Sequence, residues 1–363
     1  MIYIIIILVL ALAVLLYIQH PKFGRLPSGK RLQKIRESAN YYKSEFQNLS
    51  PTPALAEEAS YRKVFYEFFF KKNKRSKPAA ILPSIKTDLH TLNNDENVLV
   101  WFGHSSYFLQ ADGKRFLVDP VFSGSASPIE ATTRAFKGSD IYTAEDIPEI
   151  DCLFITHDHW DHLDYETVVK LKPKIKKIIT GLGTGAHLER WGFDAAVISE
   201  LDWQDSVTIS EGFVVHIMPA RHFSGRWLKR NGTLWVSVVL KTPSFNLYLG
   251  GDSGYDSHFK TIGETFGPFD LAILECGQYN EYWKYIHMMP EETVQAATDL
   301  KAQRLLPVHW AKFSLALHAW DEPVKRVTAE AEKKQIPLLT PMIGEKVKLD
   351  NTQQEFSHWW EIM

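Results

Sequence analysis

Residues 152–164 read Cys-Leu-Phe-Ile-Thr-His-Asp-His-Trp-Asp-His-Leu-Asp, and no other stretch restricts the fold of this chain as tightly. The apolar run Leu153-Phe154-Ile155 reads as a buried strand that Thr156 closes. The residues that follow crowd His157, His159, Asp161 and His162 into one short loop. Imidazole nitrogen and carboxylate oxygen at that density suit zinc or a neighbouring transition metal. A polar surface turn does not call for three His and two Asp in six positions.

Three later motifs repeat one arrangement, a polar ligand just past an apolar run. Pro219-Ala-Arg-His222 follows Phe213 to Met218, Gly250-Gly-Asp252-Ser-Gly-Tyr255 follows Leu247 to Leu249, and Pro307-Val-His309-Trp310 follows a third run. Alone, each His reads as a hydrogen-bonded surface or core residue. Strand ends meeting at one sheet edge would bring His222, Asp252 and His309 to the His-rich loop, where ligand sites form in layered α/β folds.

The rest of the body alternates in the same way. Val98 to Gln110 reads as one strand, Asp112-Gly113 as a hairpin turn and Arg115 to Val118 as its partner. Residues 121–140 form a long loop, of the kind that usually serves function. Strand-like runs recur at 176–180, 195–199, 205–209, 213–218, 232–241, 245–249, 270–275 and 303–308, with helical stretches at 164–171, 254–265, 290–301 and 321–335. Gly181-Leu-Gly-Thr-Gly185 lacks the Lys of a phosphate loop and reads as structural. Two sheets faced by helices, α/β overall, accommodate this pattern. Cys152 and Cys276 both fall in apolar runs and read as reduced core residues, not a disulfide.

The N-terminus differs. Residues 2–18 carry no charge, and neither a basic start nor a usable small-x-small cleavage site marks them as a signal peptide. They read as an uncleaved transmembrane helix, near the short end of what spans a bilayer, with the body on the cytoplasmic side because Lys and Arg follow it. Residues 21–77 carry 14 Lys/Arg against 5 Asp/Glu, a net +9, within a chain whose net charge is −2. Residues 28–48 read as a polar helix capped by Ser28, and Thr52-Pro53 as the start of another that ends in the aromatic and basic run 61–75. Aromatics running into a basic cluster suit the headgroups of an anionic leaflet; the alternative is a helix that packs its aromatics on the body. The expected organisation is an anchor at 1–20, a helical, basic, membrane-proximal segment at 21–85, a catalytic domain at 86–350 and a tail at 351–363. The acidic remainder of the chain makes a poor footprint for nucleic acid. The exposed-looking Phe356 and Trp359-Trp360 leave packing on the domain, on the membrane or on a second copy in a homodimer open.

His-x-His-x-Asp-His, followed in order by the three later motifs, resembles the metallo-β-lactamase superfamily. The resemblance implies an αββα sandwich and two divalent metal ions, zinc or manganese. One would be held by His157, His159 and His222, the other by Asp161, His162 and His309, with Asp252 bridging. Asp119, in Leu117-Val-Asp-Pro120, sits where the superfamily usually has a carboxylate orienting a ligand His; His104, in Gly103-His-Ser-Ser106, is a second candidate for that role or a structural His. Gly103 to Ser106, Asp119 to Pro128, Thr156 to Asp164, Pro219 to His222, Gly251 to Tyr255, His287-Met-Met-Pro-Glu-Glu292 and Val308 to Trp310 are similar to the N-acylphosphatidylethanolamine-hydrolysing phospholipase D group and its relatives, the ascorbate-6-phosphate lactonases. That likeness implies a membrane phospholipid substrate, cleaved to phosphatidic acid and N-acylethanolamine by direct attack of a metal-bridging hydroxide. His287 and Trp160 would contact the phospholipid, and Asp252, Asp161 and His287 would serve catalysis. Trp160 stands where that group has Tyr; it keeps the aromatic face and lacks the phenol. His287 also reads as a capping or packing residue. A lactonase or phosphodiesterase acting on a soluble phosphorylated substrate, and a membrane-tethered metal-binding scaffold without catalysis, are the rival readings.

Overall fold

The computed structural model describes residues 2–71, 73–226 and 229–362, with the side chain of Phe69 left out; Lys72 of the basic cluster lies outside the described residues. The N-terminal part carries α1 (Ile2–Ile18), α2 (Gly29–Glu37), the paired strands β1 (Tyr41–Tyr42) and β2 (Glu45–Phe46), and α3 (Tyr61–Phe70). The body continues with β3 (Val98–Trp101), β4 (Tyr107–Ala111), β5 (Lys114–Val118), β6 (Cys152–Ile155), α4 (Tyr165–Leu171), β7 (Ile178–Gly181), α5 (Gly185–Arg190), β8 (Ile198–Leu201), β9 (Ser206–Ser210) and β10 (Phe213–Met218). It closes with β11 (Ser237–Lys241), β12 (Asn246–Leu249), α6 (His258–Phe266), β13 (Leu271–Glu275), α7 (Pro290–Asp299), β14 (Leu305–Val308), α8 (Glu322–Lys334) and β15 (Lys346–Lys348).

Two sheets result, in strand order β15-β3-β4-β5-β6-β7-β8 and β14-β13-β12-β11-β10-β9. Each mixes an antiparallel meander (β3 to β5, β9 to β12) with a parallel run (β5 to β8, β12 to β14). The period-2 alternation of strand side chains sorts the core. Cys152 and Phe154 join the inner cluster with Val215, Ile217 and Val239, whereas Leu153 and Ile155 face outward to Val168, Leu171 and Leu188 of α4 and α5. Phe259, Val294 and Val324 of α6, α7 and α8 cover the second sheet. The layers are therefore helix, sheet, sheet, helix. Both cysteines are free and buried, as expected.

Several expected elements are corrected. The stretch 98–110 is two strands, because Gly103 (φ 81°) and His104 (φ 53°) turn the chain and bring Trp101 opposite Tyr107. The helix expected over 28–48 stops at Glu37, and Lys43 and Ser44, both at positive φ, make the turn of a small hairpin. No helix starts at Thr52-Pro53; α3 begins after Ser60, whose Oγ accepts from Lys63 N. The transmembrane anchor is also corrected. Helix α1 forms over 17 residues, but among the described residues no helix is long and apolar enough to cross a membrane. At 1.5 Å per residue it reaches about 25 Å against a hydrocarbon core of about 30 Å. Its Tyr17 hydroxyl donates to Pro128 O on the body.

The tail packs on the domain. Trp359 stacks on Trp310 with ring centroids 5.2 Å apart, and both Trp359 and Trp360 are buried. The Gly-rich turn 181–185 is structural, since Gly183 N and Gly185 N donate to Glu200 Oε1 at 2.7 and 3.0 Å.

Candidate active site

The C-terminal ends of β5, β6, β10, β12, β13 and β14 converge on one edge, so the residues just past them meet. A Cβ on Gly251 would lie 2.7 Å from Val236 O and 2.9 Å from Thr156 Cβ, so glycine is what lets the end of β12 come up against the His-rich loop.

Three overlapping groups of side chains with metal-binding chemistry form there: His157, His159, His222 and Asp252; His104, Asp161, His162 and His309; and Asp252, Glu275, His287 and His309, which shares Asp252 with the first and His309 with the second. In the first, His157 Nε2 and His222 Nε2 lie 2.9 and 3.2 Å from the same atom, His159 Nδ1. Nitrogen ligands on one tetrahedral zinc would stand about 3.3 Å apart. The tautomers decide what those nitrogens carry. His222 Nδ1 is 2.8 Å from Ile286 O and must donate to it, which leaves a lone pair on Nε2. Thr156 Oγ1 donates to Asp119 Oδ2 at 2.6 Å and so accepts from His157 Nδ1, which again leaves a lone pair on Nε2. Two lone pairs thus face one nitrogen that carries at most one proton, an arrangement a cation satisfies and hydrogen bonds do not. Burial keeps His157, His159 and His222 below their ordinary pKa and holds His309 down at about 3, in the neutral form that ligates.

The second group shows the same demand. His162 Nδ1 bonds Asp119 Oδ2 at 2.8 Å, and His162 Nε2 is buried 3.2 Å from Asp252 Oδ2 outside hydrogen-bond geometry. Burial disfavours charge on His162, but the Asp252 and Asp161 carboxylates overcome it and hold its pKa well above the ordinary value. Burial would raise both carboxylates, yet His162 and its neighbours keep them well below the usual range. Positive charge is wanted between these groups, and a divalent ion supplies it. Asp252 Oδ1 lies 2.6 Å from His309 Nδ1, and Asp252 Oδ2 lies 3.7 to 3.9 Å from His222 and His157, so one carboxylate reaches the first two groups. His104 Nε2 bonds Asp161 Oδ2 at 2.9 Å, and Asp119 fixes both Thr156 and His162. The donor set therefore fits two divalent ions.

The cleft above these groups measures ≈ 280 Å³ and takes His159, Asp161, Asp252, His287 and His309 on its polar side. Its apolar wall is made by Ala54, Leu55, Trp283, Ile286, Leu315 and Phe223, the last packed edge-on against the His159 ring at 4.4 Å between centroids, and Gln278 adds an amide. His287 Nδ1 lies 2.7 Å from Glu275 Oε2, which leaves Nε2 for the cleft. Burial would lower His287, but Glu275 lifts it to about 9, while burial raises Glu275 itself.

Trp160, expected to contact the substrate, is not among the side chains that line this cleft. Its ring lies against Phe23, 5.2 Å between centroids, and under the Arg226 guanidinium at 3.9 Å. Arg226 donates to Asp158 O, Leu163 O and Lys22 O and so ties the His-rich loop to the N-terminal segment. Glu275, Arg226 and the wall at Ala54-Leu55 escaped the sequence reading. Only Glu275 left a signal, a carboxylate closing the apolar run Leu271 to Leu274.

Similarity to known proteins agrees with this geometry. The Beta-lactamase superfamily domain matches residues 114–310. The chain belongs to the metallo-β-lactamase superfamily and is a metal-dependent hydrolase. This hydrolase is 39% identical over 331 residues to the uncharacterized protein Rv0906 of Mycobacterium tuberculosis, covering 90% of this chain and 88% of that one. It is 30% identical to N-acyl-phosphatidylethanolamine-hydrolyzing phospholipase D 1 of Caenorhabditis elegans, covering 68% of this chain and 74% of that one. Igni18, a metallo hydrolase of Ignicoccus hospitalis, shares the fold at a TM-score of 0.55 and 20% identity, with 72% of this chain and 99% of that one covered. The domain match contains every candidate ligand of the hydrolase, whereas His104 and the wall residues Ala54 and Leu55 lie upstream of it.

Proposed function

We propose that this hydrolase is a two-metal phosphodiesterase of phospholipase D type, acting on N-acylphosphatidylethanolamine-like lipids to release phosphatidic acid and N-acylethanolamine. One observation carries the reading: metal-binding side chains, His287 and a set of apolar side chains line a single cleft. A phosphodiester flanked by acyl chains combines the same two polarities, and its chains offer Leu55, Ile286 and Leu315 more apolar surface than a phosphorylated sugar does. The Caenorhabditis elegans relative, named for that lipid hydrolysis, adds support.

His157, His159 and His222 would hold one ion, Asp161, His162 and His309 the other, and Asp252 would serve both. Two zinc ions there supply Lewis-acid stabilisation of the phosphoryl oxygens and an activated water. Asp161 and Asp252 offset the charge of the site, His287 donates from Nε2 to a phosphoryl oxygen, and the proton given up by the attacking water reaches the leaving alcohol through solvent or by way of Asp252. In this reading the exposed aromatic side of α3 and the exposed Arg62, Lys71, Lys74 and Lys77 face an anionic bilayer.

The test is product release from liposomes containing N-acylphosphatidylethanolamine, with zinc-loaded protein and a His159→Ala, Asp252→Ala double variant as blank. Phosphatidic acid is expected from the intact enzyme alone. Full zinc occupancy with no product would remove the lipid reading and bring lactones and soluble phosphodiesters forward.

A further inference from the structure

Glu275 ends β13 inside the core, and its two oxygens do different work. Oε1 accepts from Ser253 N at 3.0 Å and Met288 N at 3.1 Å, main-chain bonds that join the segment after Asp252 to the segment before α7. Oε2 meets His287 Nδ1 at 2.7 Å. The carboxylate is buried, and a buried carboxylate is costly unless each oxygen is occupied. Three donors from three directions converge on it, and a carboxylate, an acceptor at both oxygens, suits all three.

The ring on Oε2 stands beside the first two metal-binding groups, its centroid 5.0 Å from that of His222 and 5.2 Å from that of His309. Packing beside His222 and His309 restricts the ring, but a hydrogen bond to one nitrogen decides which edge it turns to the cleft. With Nδ1 held by Glu275, the plane of the ring is set and Nε2 is turned to the cleft that His287 lines. Ser253 directly follows Asp252, so the same carboxylate ties the ring to the carboxylate that reaches the first two groups.

We propose that Glu275 is a positioning residue: it touches no substrate and acts on the phosphoryl group solely through the orientation and tautomer it imposes on His287. The proposal rests on the reading of the cleft as a phosphodiester site. The main-chain bonds are all made by Oε1, which leaves Oε2 to His287.

Glu275→Gln separates the two oxygens. The amide keeps one acceptor for Ser253 N and Met288 N, which preserves the fold, and then presents an NH2 group to His287 Nδ1. A donor there reverses the polarity of the contact and releases or inverts the ring. The experiment is a double-mutant cycle of E275Q with His287→Ala, read first as the Kd of dimethyl phosphate for the zinc-loaded protein and then as kcat and KM on the lipid. In the His287 background E275Q is expected to weaken dimethyl phosphate binding and lower kcat by roughly tenfold or more, the range found for residues that orient site histidines. In the H287A background it is expected to change neither, with zinc content and melting temperature unchanged in both. An equal loss in the H287A background, or no loss beside His287, overturns the proposal, as does failure of the intact protein to bind dimethyl phosphate. Non-additive binding without lipid hydrolysis leaves the pair standing and removes the lipid reading. Lipid hydrolysis with additive losses does the reverse.

Discussion

Asp119 is the residue through which β5 governs the loop after β6. Its Oδ1 accepts from Thr156 N at 2.9 Å, and its Oδ2 accepts from Thr156 Oγ1 at 2.6 Å and His162 Nδ1 at 2.8 Å. Through Thr156 it sets the tautomer of His157, and directly that of His162, so one carboxylate prepares a lone pair in each of the first two metal-binding groups. Asp119→Asn puts a donor against donors. Zinc affinity should fall by about 10- to 100-fold, measured by chelator competition, with the metal-free fold retained. An unchanged affinity would mean that the tautomers are set elsewhere. Asp119 was legible only through the family resemblance, which implies a carboxylate at that place to orient a ligand His, whereas the ligands announce themselves by residue type and density. Glu275 was not legible, because its meaning is its distance from His287, and nothing local to Leu271–Glu275 encodes that partner.

Elements upstream of the matched domain also build the site. The segment from Asn48 to Ala56 has no regular structure, yet it is pinned at both ends. Asn48 Nδ2 donates to His222 O at 2.8 Å and Asn48 Oδ1 accepts from His222 N at 3.1 Å, while Ala56 N bonds Tyr282 O at 2.7 Å. Arg221 holds the middle through Pro51 O and Thr52 Oγ1. Between these pins Leu55 forms part of the apolar wall. Asn48→Ala leaves main-chain groups of a metal-binding residue unpaired, at a cost of about 1–3 kcal/mol in unfolding free energy. In denaturant melts that loss should appear together with a rise in KM for the lipid larger than the fall in kcat, because the wall loosens and the donor groups remain. A fall in kcat alone would assign Asn48 to the metal centre and not to the wall. None of this segment could be read ahead of the fold. Its residues have no periodicity, and Thr52-Pro53, which reads as a helix start, is held by Arg221 instead. The nearby hairpin was hidden for a related reason: its turn uses Lys43 and Ser44 at positive φ, where Asn-Gly would have announced it.

On the scale of the whole molecule, charge and exposed apolar surface collect at one end of the chain. Among the described residues every exposed large hydrophobic side chain lies within the first 85 residues except Ile129 and Ile362. The basic excess of +9 falls within the same part, at residues 21–77. Helix α3 shows how the two are combined. Its Glu67 accepts from Tyr282 Oη and its Lys63 lies over the Tyr282 ring, so one side docks beside the cleft. Tyr61, Phe65, Tyr66 and Phe70 stay exposed, next to exposed Arg62, Lys71, Lys74 and Lys77. Arg75 does not belong with them, since it pairs with Asp321 of the body. If the basic residues meet anionic headgroups, each contributes about 1 kcal/mol near the surface, and the attraction fades within a Debye length as salt rises. Replacing Arg62, Lys71, Lys74 and Lys77 together by Gln should therefore cut cosedimentation with phosphatidylserine-containing vesicles at least tenfold at low salt and leave turnover of a soluble phosphodiester unchanged. High salt should bring the intact protein down to the level of the variant. Equal binding of the two proteins to anionic vesicles would instead assign the contact to apolar surface alone, and the neighbouring candidates are then α1, which has no buried residue, and the exposed aromatics of α3.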